Sequence, residues 1–363
     1  MTSLKRDRFL KTLRYEPVDR RPVYLAGPWH DTLLRWRGEG LPANVGDVHE
    51  HLGVQEFGYS MSNITPIAGP HPAYAGRILR EEGDAVYSLD AYGRTVKDFK
   101  SHTTMPEWIE FPVKSAADLR VYLDEHFDVA DLDTRFAPDW ADKARAAEAR
   151  GDIVLIDGGC YYWTLRSIAG VEGASYLLYD APDLVDELCE RYFTVVMEGL
   201  RRAVKLVKVD LIGFGEDFAF KTGPLISPDM FRRFIQPRYA KTMAFAREHG
   251  VDLTWHDSDG DCRLLLPDML AVGVNSTCPC EVAAGMDPVA LRREFGHELR
   301  IGGGFDKRLL GQGADAVGEE LSRLAPVIRE GGYIPGIDHS IPADVSWDDY
   351  RRYLDLLIKT VTT

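Results

Sequence analysis

The sequence predicts an α/β protein, a single (β/α)8 TIM barrel with a small β-hairpin insertion near the N-terminus. Three observations carry that prediction. Short β-rich runs alternate with longer amphipathic runs along nearly the whole chain, which is the signature of parallel strands joined by crossover helices. The glycine fingerprint G-x-G-x-x-G of an open dinucleotide-binding sheet is missing after the first run. The 363 residues suit one barrel unit, so one domain over 1–363 is expected.

Taken in order, the expected strands are RPVYLAG (21–27), a segment near EFGYSM (56–61), DIVLIDGG (152–159) and VDLIGFGED (209–217). VDLTWHD (251–257), AVGVNST (271–277), LRIGGGFD (299–306) and YIPGID (333–338) complete the set. The intervening runs read as helices with recognisable ends. SPDMFRRFIQPRYAKTMAFAREHG offers Ser227 as N-cap, Pro228 in the first turn and Gly250 as the stop. DPVALRREFG repeats the design, with Asp287 as cap and Gly296 as stop. GRILREEGDAVYSLDAYGRTVKDFK, about 76–100, breaks the rhythm: apolar and polar residues alternate around turn signals, so a hairpin or meander is expected there.

Composition narrows the function. A formal charge of -14, with no compensating basic stretch, argues against nucleic acid or an anionic membrane as partner. LRRAVKLVK, the most basic run, reads as the solvated face of a helix. No apolar run reaches 18 residues and the N-terminus lacks a signal core, so a cytoplasmic protein is expected. Five cysteines, an odd number, suggest buried thiols and not a disulfide framework.

In an α/β barrel the C-terminal ends of the strands face the active site. Those ends deliver Trp29 and His30, then Asp157, Tyr161 and Tyr162, then Glu216 and Asp217. His256, Asp257 and Asp259 follow, then Cys278, Cys280 and Glu281, Asp306 and Lys307, and finally Asp338 and His339. Each has a plain reading as well: an aspartate can cap the next helix, a histidine can sit hydrogen-bonded in the core, and buried cysteine is commonly inert. Two adjacent carboxylates, Glu216 and Asp217, at the end of an apolar run suggest at least one held in a cleft with a shifted pKa. Asp338-His339 is similarly placed.

The segments DRFLKTLRYEPVDRRPVY, GEDFAFKTGPLISPDMFRRFIQPRY, DSDGDCRLLLPDMLAVGVN, EVAAGMDPVALRREFG and GGYIPGIDHSIPADVSWDDYRRYLDLL resemble the uroporphyrinogen decarboxylase superfamily. The resemblance implies a (β/α)8 barrel and an enzyme working as monomer or homodimer. It also spans several activities: the haem-pathway decarboxylase, the zinc-dependent corrinoid methyltransferases and the related cobalamin-independent methionine synthase. The haem-pathway enzyme's arginine-rich signature near RQAGRY has no counterpart here. The chain reads LAGPWHDTLLRWRGEGLP at that place, too few fixed guanidinium forks for a substrate with eight carboxylates.

The methyltransferase branch binds zinc through a His-x-Cys pair and a later cysteine. This chain has His256-Asp257-Ser258-Asp259 at the first place and Asp338-His339 at the second. A substitute metal set of His256, Asp257, Asp259 and Cys280 is the expectation, with His339 as a further imidazole, Cys278 as an alternative thiolate and one position open for a catalytic zinc.

The leading expectation is therefore methyl transfer from a small methoxylated or N-methylated compound to a thiol or to a corrinoid on a separate protein, since no DxHxxG corrinoid stretch occurs here. Glu216, Asp217, Asp338 and His339 are the expected catalytic groups. Trp29, His30, Tyr161, Tyr162, Lys221, Asp306 and Lys307 are expected to bind substrate. The alternative is metal-free decarboxylation or another acid-base lyase reaction on a small carboxylic acid. A barrel that binds without catalysing is the third reading.

Overall fold

The computed structural model describes residues 4–101 and 105–362. Its centre is an arc of parallel strands. Met61–Asn63, Ile153–Gly159, Leu211–Gly215 and Leu253–Asp257 form one sheet in that order. Ser276–Thr277, Arg300–Phe305 and Tyr333–Ile337 form a second. A parallel bridge between Asp257 and Cys278 links the two, and another between Tyr24 and Gly336 adds the first segment beyond the last strand. The lateral order is thus the sequence order, as right-handed crossovers dictate.

The expected closed ladder is not completed among the described residues. At the remaining seam Val23 donates its N–H to the Phe57 carbonyl at 2.9 Å. The first segment, expected as a strand over 21–27, keeps only isolated bridges at Tyr24 and Pro28. Pro22 and Pro28 flank it, and proline has no N–H to give a ladder. Two further boundaries also differ from expectation. AVGVNST is strand only at Ser276–Thr277, because Ala271 and Val272 finish the Leu266–Val272 helix that Gly273 ends at φ 94°. The helix expected over 227–250 divides into Pro228–Phe234 and Gln236–Glu248. Pro237 explains the break: its ring clashes with the carbonyl four residues back and its nitrogen carries no hydrogen.

Side chains alternate across the strands. Ile153, Leu155, Leu211, Leu253, Trp255, Cys278 and Ile334 point to the inside, where Phe9, Leu10 and Leu13 of the Leu4–Leu13 helix plug the arc. Arg6 on that helix holds Asp210 through two hydrogen bonds of 2.8 and 2.6 Å. Gly302 keeps the interior passable for Trp255, since a Cβ there would lie 2.7 Å from the indole. Val154, Ile156, Ile212 and Phe214 point outward into the larger core shared with the helices. This two-sidedness decides which residues reach the mouth.

Where a hairpin is expected over about 76–100, the structure has a four-stranded antiparallel sheet: Arg77–Glu82, Ala85–Leu89, Thr95–Phe99 and Glu107–Glu110. Trp108 of its last strand meets Trp163 edge-on at 5.7 Å, so the sheet rests on the start of the Tyr161–Asp180 helix. No helix among the described residues is long and apolar enough to cross a membrane.

Candidate active site

The strand exits sort into two environments. On the outward side lies Glu216, fully buried. Its carboxylate accepts N–H bonds from Tyr161, Tyr162 and Trp163 at 2.8, 2.7 and 3.1 Å and the Tyr239 hydroxyl at 2.7 Å. These are the first N–H groups of the Tyr161–Asp180 helix, whose own N-cap, Cys160, makes no side-chain cap bond. Glu216 is therefore a remote cap. Burial pushes its carboxyl up to about 7, while the four donors pull the other way. The catalytic role expected for Glu216 is corrected to a structural one: every donor it meets belongs to the fold.

His256 undergoes the same correction. Its ring is fully buried against Phe218, centroids 5.3 Å apart, and neither ring nitrogen has a partner. Burial lowers its pKa to about 3, so it stays neutral. The period of two explains this: Trp255 and Asp257 face inward, and His256 between them must face the helices. Cys280 is equally buried in the outer core, its Sγ near the Thr277 carbonyl. His256 and Cys280 are thus removed from the expected metal set, since both face the outer core.

Four other expected residues are structural. Tyr161 packs among Tyr192 and Tyr239, centroids 5.4 and 5.9 Å away, and Tyr162 is buried with it. Asp306 caps the turn that follows, accepting the Arg308 N–H and gripping its guanidinium at 2.8 and 2.7 Å. Asp338, expected as catalytic, is buried and accepts the N–H groups of Val282 and Lys307 at 3.1 and 3.2 Å. It braces two strand-exit loops. His30 is the exposed first residue of the His30–Gly38 helix, and Lys221 lies exposed in the turn of the Ala219–Pro224 hairpin; neither joins the cluster described next.

The inward side gathers the chemistry. Asp259, Glu281 and His339 each offer one ligand atom, all within 4.8 Å of one another. They come from three different strand exits. His339 Nε2 lies 3.6 Å from Asp259 Oδ2, and that carboxylate raises the imidazole's pKa. Glu281 Oε2 accepts the Gly260 N–H at 2.9 Å. Trp29 stacks over His339 with centroids 6.3 Å apart, bringing the first loop to the cluster. Asp257 stands beside it. Solvent reaches Asp257, yet the surrounding walls and the like charges of Asp259 and Asp217 push its carboxyl up to about 6.

Asp217 completes this side. Arg166 donates to its carbonyl at 2.9 Å and to its Oδ2 at 2.6 Å, holding a non-glycine residue at φ 48°. Asp217 Oδ1 in turn accepts the Asp259 N–H at 3.3 Å. Asp157 is linked to Asn63 at 3.0 Å, and burial raises its pKa. Lys307 is partly buried at the same end. Two residues were given no role by sequence reasoning. Glu281 was named at its strand exit, but the neighbouring Cys280 was assigned to the metal set in its place. Arg166 lay one turn past Tyr162 on the same helix face, a signal visible only once the helix start is known.

Comparison with known proteins places this arrangement. A family model described as "Uroporphyrinogen decarboxylase (URO-D)" matches residues 160–359, more than half of the chain. A curated uroporphyrinogen decarboxylase from Alkalilimnicola ehrlichii is 24% identical over 379 aligned positions, covering 91% of this chain and 97% of its own. One from Chloroherpeton thalassium is 22% identical, with 98% and 97% covered. Among solved structures, a methyltransferase from Methanosarcina mazei superposes with a TM-score of 0.58 at 17% identity, over 99% of this chain and 98% of its own.

Proposed function

The chain belongs to the uroporphyrinogen decarboxylase (URO-D) family, and from that premise we propose that it is an enzyme of methyl transfer. Its donor is a small methoxylated or N-methylated compound; its acceptor is a cob(I)alamin carried on a separate corrinoid protein, or a thiol. We read the arc of strands as one barrel whose exits share a mouth. A methyltransferase built on the same fold supports the reading, as does one observation above all: the sign of the charge at that mouth.

Asp217, Asp257, Asp259 and Glu281 gather there, with Asp157 at the next exit, and the guanidinium of Arg166 is already committed to Asp217. Such a mouth repels a carboxylate-rich substrate and admits a neutral or cationic one. Decarboxylation needs fixed cations beside the leaving carboxylate, and Lys307 with His339 does not outweigh the four acids gathered there.

In the proposed step the C–O or C–N bond breaks with its electron pair left on the heteroatom. The acceptor's own pair forms the new bond to carbon. Trp29 supplies a flat wall beside His339 for an aromatic or methylated donor. Asp257 stands where a proton can pass to the leaving heteroatom. Incubation without oxygen, with cob(I)alamin or a thiol and a panel of methoxyarenes and N-methylated amines, tests this directly. Enzyme-dependent appearance of methylcobalamin or a methyl thioether is expected. Carbon dioxide release from small carboxylic acids, with no methyl transfer from any donor, would overturn the reading.

A further inference from the structure

We propose that Asp259, Glu281 and His339 form a site for a single divalent cation, built from two carboxylates and one imidazole in place of a thiolate set. The first support is convergence. The ligand atoms lie within 4.8 Å of one another although the residues leave three different strand exits, 22 and 58 positions apart in sequence. Three protein donors on one side of an open mouth leave positions free for solvent or substrate.

The second support is uncompensated charge. Asp259 and Glu281 are brought together with no arginine or lysine paired to either among the described residues; the one charged contact of Asp259 is His339 itself. Three acids at these exits are paired with a guanidinium, Asp217 with Arg166, Asp306 with Arg308 and Asp261 with Arg263, and Asp338 is met by two backbone N–H groups. Two like charges within ligand distance cost energy unless a cation arrives.

The third support is the exclusion of sulfur. Ser258 is buried, Cys280 lies in the outer core and Cys278 lies among the inner apolar side chains against Trp255, so no cysteine joins the triad. Oxygen and imidazole donors suit Mn2+, Fe2+, Co2+ or Zn2+ without preference for a soft ion.

This inference rests on the methyl-transfer reading for its purpose and deepens it. A cation held by Asp259, Glu281 and His339 would supply Lewis-acid stabilisation to a methoxy oxygen or amine that gains electron density as its methyl leaves. It is not a device for ionising an acceptor thiol. The donor class follows: a compound whose methylated heteroatom can itself approach a metal, which an ether oxygen does and a quaternary ammonium nitrogen does not.

Titration of the metal-free protein with Co2+, followed by absorption, tests the site apart from any activity. One Co2+ per chain is expected, with d–d bands and no sulfur-to-cobalt charge transfer in the near ultraviolet. Glu281→Gln and His339→Ala should each weaken binding on the order of 100-fold. Cys280→Ala and His256→Phe should bind as the unaltered protein does. No stoichiometric binding, a charge-transfer band, or loss of binding in the Cys280 variant would overturn the site. Binding with the expected pattern but no methyl transfer from any donor would leave the site standing and remove only the functional reading.

Discussion

Glu216 and Asp217 are neighbours in sequence and opposites in surroundings. Glu216 is sealed among a helix start and Tyr239, its four hydrogen bonds all structural. Asp217 turns at φ 48° toward the mouth, where Arg166 and the Asp259 N–H hold it. His256 and Asp257 repeat the contrast one strand along: the ring is buried without a partner and the carboxylate meets solvent. Successive residues at a strand end serve different layers. The outward member holds the helices on; the inward member can meet a substrate.

The largest effects should separate the two sets. His339→Ala and Asp259→Asn are expected to reduce methyl transfer at least about 10³-fold while moving the thermal midpoint only slightly. Steady-state rates beside thermal melts check this, and full activity in both variants would break the division. Glu216→Ala should do the reverse. It orphans the buried N–H groups of Tyr161 and Tyr162, the part-buried one of Trp163 and the Tyr239 hydroxyl, so about 3–5 kcal/mol of stability should go, read by denaturant unfolding. An unfolding free energy unchanged in Glu216→Ala would show that the carboxylate is no anchor.

A pH profile sharpens the comparison on the other strand. The folded pKa of His256 is depressed to about 3, so between there and its ordinary value near 6.5 the unfolded chain binds the extra proton. That contribution is fully present above about pH 6.5 and lost as pH falls toward 3, on the order of 5 kcal/mol in all. His256→Phe should flatten stability against pH over this window, and an acid limb identical to that of the unaltered protein would contradict the burial argument. The smallest effect belongs to Arg166→Lys. It keeps the charge and loses the double grip on Asp217, so kcat should fall about tenfold with KM little changed. A change confined to KM would make Arg166 a substrate contact instead of a positioning residue.

Much of the architecture was legible. The strand runs that carry Asp157, Asp257 and Asp338 at or near their ends announced themselves by apolar content, and Asp287 and Gly296 bound the Pro288–Phe295 helix where their chemistry places them. The first segment did not behave as a strand because its flanking prolines withhold donors, and Pro237 divided a helix that periodicity ran together. In the site, Asp217, Asp257, Asp259, His339 and Trp29 were named from sequence and the structure gathers them at one end of the arc. Glu216, His256 and Cys280 were named beside them and face the helices. The pleat sets that distinction, but its phase follows only once the inward members of each strand, such as Leu253 and Trp255, are known from packing. Glu281 and Arg166 matter only through residues distant in sequence.

One measurement bears most directly on the inward face as the working face: anomalous diffraction from crystals soaked in Mn2+. The expected result is a single peak within bonding distance of Asp259, Glu281 and His339, with nothing near His256 or Cys280. A peak on the outward side of the strands, or none at the mouth with Mn2+ bound elsewhere in the chain, would contradict the assignment of the two faces.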